Sequence, residues 1–208
     1  MKLGSHNSFT YLKPKKWWMR IFTIFARCQS KNIFEQYNAG ARYFDLRFRF
    51  KSYENTYKDI VVAHGLMEYD ISFIDIYGIL NRLNRIAQID NTKIYIRLLY
   101  ELPYKDKSKY NYLKETKFVN LCYYFSNIFE NLIFCGGQRK YDWKPLAFLE
   151  PHPKSVDLYS SQTWKIWDDW YPWIYATIMN NKNYKKYKDK EPKDGFMLMD
   201  FVNNIKGS

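Results

Sequence analysis

Three short segments near the start of the chain hold residue types suited to acid–base chemistry. They are Gly4-Ser5-His6-Asn7-Ser8, Ala41-Arg42-Tyr43-Phe44-Asp45-Leu46-Arg47 and Val61-Val62-Ala63-His64-Gly65. The chain has three histidines, and two of them, His6 and His64, fall at the ends of predicted strands with an Asp-x-Arg strand between them. One imidazole can serve as a base and another as an acid, while a guanidinium supplies fixed positive charge. Facing one cavity, such a set could cleave a phosphodiester without a metal. The third histidine, His152, lies in Glu150-Pro151-His152-Pro153 and is read as a structural residue.

The elements that must position these residues follow from periodicity and caps. Residues 2–5 read as a short strand ending at His6. Residues 32–38 read as a helix stopped by Gly40. Residues 42–50 alternate, with Tyr43, Asp45, Arg47 and Arg49 on one face and Phe44, Leu46, Phe48 and Phe50 on the other. Residues 60–63 form a short apolar strand before His64. Ser72 and Asp75 make a capping box for a helix whose stripe is Phe73, Ile76, Tyr77, Leu80, Leu83 and Ala87. Further strands are expected at 93–99, 132–135, 156–160 and 196–201, and further helices at 115–130 and 171–179.

Strands and helices in alternation, with continuous apolar strands, indicate parallel α/β architecture. The fold class expected is a compact, irregular (β/α)8 TIM-type barrel, with some helices reduced to loops because 208 residues fall short of the roughly 250 typical of that fold. One domain spanning residues 1–208 is expected. His6, Asp45, Arg47, His64 and Asp200 would then gather at the C-terminal ends of the strands, where such barrels carry their active sites.

Composition narrows the partners. The net charge of +12 draws the chain to anionic surfaces or substrates, and an aromatic content of 20% argues against disorder. Residues 1–34 carry Lys2, Lys13, Lys15, Lys16, Arg20, Arg27 and Lys31 with no acid, and a second basic run covers 180–193. Cys28, Cys122 and Cys135 lack metal-ligand spacing and read as buried free thiols. No apolar run approaches the roughly 18 residues needed to cross a bilayer, and no signal-peptide core is visible. The expected location is therefore cytoplasmic or peripheral to a membrane.

Taken together, Ser5-His6-Asn7-Ser8, Gly40-Ala41-Arg42-Tyr43-Phe44-Asp45-Leu46-Arg47 and Ala63-His64-Gly65 resemble, in order and spacing, the X domain of phosphatidylinositol-specific phospholipases C. The resemblance is carried by residues 1–66, and Met197-Leu198-Met199-Asp200-Phe201-Val202 adds to it. It implies cleavage of phosphatidylinositol to diacylglycerol and inositol 1,2-cyclic phosphate. His6 would be the general base, held by Asp200. His64 would be the general acid, Arg47 would neutralise charge on phosphorus, and Asp45 would orient Arg47 or the attacking hydroxyl.

Arg47 stands where calcium-dependent members carry an acid, so the resemblance is to the bacterial, metal-independent type, with no cofactor. Asn7 departs from that type, which has Asp there, and matches what calcium enzymes use as a ligand. Calcium is therefore kept as an alternative, and Glu101 or Asp70 is a candidate to assist His64. The substrate-binding candidates are Asn7, Arg97 and the pair Asp157 and Tyr159. Leu99 stands near the point where bacterial members place a lysine, so the headgroup is left open. Another phospholipid or glycerophosphodiester, or a non-catalytic anionic-lipid-binding module, is the alternative.

The segment Lys13-Pro14-Lys15-Lys16-Trp17-Trp18-Met19-Arg20 sits where family members carry a short interfacial helix. Lys15, Lys16, Trp17 and Trp18 are the membrane-interface candidates, because tryptophan prefers the headgroup level and basic residues attract anionic lipid. The expected partners are a phospholipid substrate and an anionic membrane surface. A nucleic acid partner is not expected, and the chain is expected to be a monomer.

Overall fold

The computed structural model describes residues 1–51, 57, 59–101, 112–136, 148–150, 153–158, 172–192 and 195–205. Among them are eight strands: β1 (Lys2–Ser5), β2 (Ala41–Phe50), β3 (Ile60–His64), β4 (Met67–Tyr69), β5 (Ile94–Tyr100), β6 (Leu132–Cys135), β7 (Ser155–Asp157) and β8 (Phe196–Met199). The helices are α1 (Thr23–Ala26), α2 (Ile33–Asn38), α3 (Phe73–Ile89), α4 (Tyr112–Ile128) and α5 (Pro172–Tyr187). The chain divides into two compact units, Met1–Asp45 with Pro153–Ser208, and Leu46–His152.

In the first unit, β1 pairs in parallel with β8 and with the opening residues of β2, and β7 pairs in parallel with β8. Gly4 permits this spacing. A Cβ there would stand 2.6 Å from Leu198 Cδ2 and 3.3 Å from Tyr43 Cβ. The Tyr43 and Phe196 rings lie 5.2 Å apart in the buried core. α2 begins on a full capping box: Asn32 Oδ1 accepts the Phe34 and Glu35 amides, and Glu35 accepts the Asn32 amide. Its end is released by Gly40 at φ +95°.

In the second unit, the later part of β2 pairs antiparallel with β3, which pairs antiparallel with β4. β5 pairs with β2 and runs parallel to β6. α3 has the expected Ser72–Asp75 capping box and buries Ile76, Leu80, Leu83 and Ala87. α4 contributes Phe118, Leu121, Cys122 and Phe125 to the same interior. Phe73 stacks on Phe125 at 6.0 Å, and Phe125 in turn meets Phe129 and Phe134. Each such ring removed from water contributes about 1.5–3 kcal/mol.

Several sequence expectations are corrected. β3 is antiparallel to β2, although the apolar strands suggested parallel pairing throughout. The link between them is residues 51–59, shorter than the dozen or so residues a parallel crossover requires, so the chain must turn back as a hairpin. For the same reason Asp45 and Arg47 are not at the C-terminal end of their strand, since β2 runs on to Phe50. Its apolar and charged faces are both largely buried. The final strand stops at Met199, leaving Asp200 in the turn that follows. The last helix continues to Tyr187, eight residues past the expected end at 179, with Asn180 and Asn183 buried and Lys185 and Lys186 in the last turn, where positive charge is favourable. Among the described residues no helix is long and apolar enough to cross a membrane.

Candidate functional site

The first unit builds a cluster around His6. β1 delivers His6 one residue past its end, and the His6 amide donates to Met199 O at 3.0 Å, so the two strand ends are tied. This places Asp200 Oδ1 2.7 Å from His6 Nδ1, with both residues buried. Facing a carboxylate, Nδ1 must carry the hydrogen, and Nε2 keeps its lone pair. Asn7 Nδ2 lies 3.2 Å from Nε2 and donates to it. Asp45 Oδ2 is 4.0 Å from Nε2 and 3.3 Å from the Asn7 amide that donates to it. The imidazole is therefore held in one tautomer, in a residue that is 6% exposed, and its basic nitrogen is bordered by polar groups.

The supports of this cluster lie far apart in sequence. Ser8 Oγ accepts the Asp45 amide at 3.0 Å and donates to Ser5 O at 3.0 Å, while the Ser8 amide donates to Asp45 O at 2.9 Å. Gln29 Nε2 donates to both His6 O and Met199 O at 3.0 Å, and its Oε1 accepts the Val202 amide. Asn180, on α5, donates from Nδ2 to Asp200 O at 2.6 Å and to Phe201 O at 3.3 Å. Phe201 adopts φ +47°, a conformation costly for an aromatic residue. Its amide is held by Cys28 O at 2.6 Å, so the turn bearing Asp200 is fixed from both sides. Asn7 also has φ +47°, a region that asparagine tolerates.

The second unit builds a cluster around the turn after β3. His64 is half-buried at the last position of that strand. Gly65 follows at φ +57°, its amide donating to Glu101 Oε1 at 2.8 Å and its carbonyl accepting from Arg49 Nη2. Glu101 Oε2 lies 3.6 Å from Arg47 Nη1. Arg49 Nη1 is 3.8 Å from Glu68, which also takes Lys51 at 2.6 Å. Burial pushes the Arg49 guanidinium below its ordinary value, and Glu101 and Glu68 oppose that shift. One carboxylate thus holds both a guanidinium and the peptide beside an imidazole.

The structure brings together His6, Asn7, Asp45 and Asp200 in one unit, and Arg47 with Glu101 beside the His64 turn in the other. Arg97 sits on β5, half-buried, opposite Cys135 of β6. Asp157 is half-buried at the end of β7, and Tyr159 lies outside the described residues, as does His152. Lys15, Lys16, Trp17 and Trp18 are exposed. Trp17 is 76% exposed, at the head of a 3-10 helix (Trp17–Phe22) that runs into α1 and also exposes Ile21, Phe22 and Ile24.

Gln29, Asn180 and Cys28 were not singled out by sequence as site residues. Their signal is a buried amide or thiol reaching across the chain, and no local spacing announces it. Among the described residues, one group of three or more potential metal ligands is close-set: His6, Cys28 and Asp200, with ligand atoms within 4.8 Å of one another. It is not the all-oxygen set that calcium favours.

No protein-family model matches the chain. No curated protein matches it in sequence. Solved structures do match. The phosphatidylinositol-specific phospholipase C from Listeria monocytogenes superposes with a TM-score of 0.63 at 14% identity, covering 99% of this chain and 90% of that one. The Staphylococcus aureus enzyme gives 0.60 at 14% identity, covering 96% of this chain and 85% of that one. The structural neighbours of this chain are thus bacterial enzymes of that kind, and at this identity the likeness establishes the fold. It is α/β, of the irregular TIM-type barrel class expected from sequence.

Proposed function

We propose that this protein is a phosphodiesterase of the phospholipase C type, cleaving phosphatidylinositol to diacylglycerol and inositol 1,2-cyclic phosphate. The observation that carries the reading is the His6–Asp200 pair, which leaves Nε2 with a lone pair on a chain that shares its fold with enzymes of this class. His6 Nε2 takes the proton from the inositol 2-hydroxyl, whose oxygen attacks phosphorus. Asp200 fixes the tautomer and stabilises the imidazolium that forms, as the acid does in a serine-protease triad. Arg47 neutralises negative charge on the phosphoryl oxygens, and Asp45 orients the arginine or the attacking hydroxyl. The bond from phosphorus to the glycerol oxygen breaks, and His64 supplies the proton to that oxygen. Asn7, Arg97, Asp157 and Tyr159 are assigned to the headgroup.

The exposed Trp17, Trp18, Ile21, Phe22 and Ile24, with Lys15, Lys16 and Arg20, are assigned to an anionic membrane surface. Aromatic rings settle at the headgroup level, and each nearby basic residue adds about 1 kcal/mol of attraction to anionic lipid.

The test is phosphorus NMR with phosphatidylinositol micelles, with and without EDTA, beside His6→Ala and His64→Ala. A cyclic inositol phosphate signal that persists in EDTA and is lost in both variants supports the reading and ties both clusters to one reaction. Turnover undiminished in His6→Ala removes the base. A second reading, a different phospholipid headgroup, is favoured by Leu99, which is buried on β5 near the point where bacterial members place a lysine. It predicts turnover of another phospholipid in the same assay and none of phosphatidylinositol.

A further inference from the structure

We infer that His6, Cys28 and Asp200 form a site for one thiophilic divalent cation of the zinc class. The three residues come from the end of β1, the segment after α1 and the turn after β8, and all are buried. One imidazole nitrogen, one sulfur and one carboxylate oxygen lie within 4.8 Å of one another. Zinc bonds of about 2.0–2.3 Å place two donors on one tetrahedral ion roughly 3.5 Å apart. Around the ion the widest separation closes by about an ångström, while the 2.7 Å His6 Nδ1–Asp200 Oδ1 contact opens by about as much. Nitrogen with thiolate and carboxylate selects zinc or cobalt over calcium and magnesium, which require oxygen. Three protein ligands leave the fourth position for water.

The proton balance is definite. Cys28 must lose its thiol hydrogen to ligate, because thiolate is the binding form. Its sulfur now accepts from Asn7 Nδ2 at 3.5 Å and donates to Ala26 O at 3.7 Å, so the second bond is given up on binding. Asp200 ligates as the carboxylate it already presents to His6. The ion takes Nδ1, the nitrogen that faces Asp200, and the ring hydrogen moves to Nε2, so the one proton that leaves the protein is that of Cys28 and His6 ceases to be a base. Metal uptake therefore switches the enzyme off, a consequence that rests on the function proposed above, whereas the binding itself does not.

The experiment separates the two. The purified protein is titrated with Co2+ alone, without substrate, and read by the cobalt–thiolate charge-transfer absorption and by proton release. The titration is repeated with Zn2+ in competition, on Cys28→Ser, Asp200→Asn and Cys122→Ser. Cys122 is buried on α4 and is not among the close-set ligands, so it serves as the control thiol. One equivalent of ion with one proton released, zinc displacing cobalt, affinity lowered more than about tenfold in Cys28→Ser and unchanged in Cys122→Ser supports the site. Cys28→Ser is nearly isosteric, and Asp200→Asn provides a second ligand deletion. Absence of the band, or a band that survives Cys28→Ser, overturns it. Binding as described in a protein that cleaves no phospholipid keeps the site and sinks the function. Cleavage unaffected by zinc, with no cobalt band, keeps the function and sinks the site.

Discussion

Glu101 and Gly65 are joined by a hydrogen bond of 2.8 Å from the Gly65 amide to Oε1, which fixes the peptide directly after His64 to the residue directly after β5. The other oxygen faces Arg47 at 3.6 Å. Glu101→Gln keeps the size of the group and loses its charge. The expected result is a fall in kcat of about 10- to 100-fold with a folded protein, since a displaced catalytic group costs up to this much. Far-ultraviolet circular dichroism and phosphorus NMR turnover check both halves. Unchanged kcat would restrict Glu101 to a structural role.

Asp200→Asn tests the tautomer. An amide can present its NH2 to Nδ1, moving the ring hydrogen to Nε2 and removing the lone pair. Turnover should fall by roughly 10⁴-fold, the order seen when the equivalent acid of a serine-protease triad is made an amide. Nitrogen-15 NMR of the labelled imidazole should report the tautomer change directly. A normal tautomer with normal turnover would defeat the role given to Asp200.

Two glycines make opposite predictions under the same substitution. At Gly4 a Cβ would fall 2.6 Å from Leu198 Cδ2, so Gly4→Ala should destabilise by about 1–3 kcal/mol through overpacking. At Gly78, in the middle of α3, a Cβ meets nothing within 4 Å, so Gly78→Ala should stabilise by about 0.5–1 kcal/mol. Urea unfolding of the two variants checks the signs.

Burial pushes the Tyr11 phenol from 10.0 up to about 12, against a smaller opposing contact with the Ile33 backbone. A folded value above the unfolded one means a contribution complete below pH 10 and lost as pH rises through about 12. Burial raises Tyr57 as well, so the loss is shared. Tyr11→Phe should flatten the fall in stability between pH 10 and about 12 without removing it. Urea midpoints measured across that window test it, and an unchanged slope would place Tyr11 outside the alkaline transition.

Much of this was legible in sequence, for identifiable reasons. The capping boxes at Asn32 and Ser72 declare their helices locally, and the structure has both. His6 and Asp200 each follow a short strand, so their placement at strand ends could be read, and parallel pairing of β1 with β8 turns two strand ends into one contact. The direction of β3 was present in the length of its link and was overridden by the apolar character of the strand. Gln29 and Asn180 could not be read at all. A buried amide is indistinguishable in sequence from a solvated one, and both act on backbone atoms brought from distant segments. The capacity of Cys28 to join His6 and Asp200 was hidden for the same reason, because ligand spacing here exists only in space.

The partners of the His6–Asp200 contact are 194 positions apart. During synthesis His6 is made 194 positions before Asp200, and its tautomer is undefined until Asp200 emerges and β8 docks beside β1. A nascent chain halted anywhere before that point carries an imidazole with no orienting acid. The base proposed at His6 can therefore form only once residue 200 has been made.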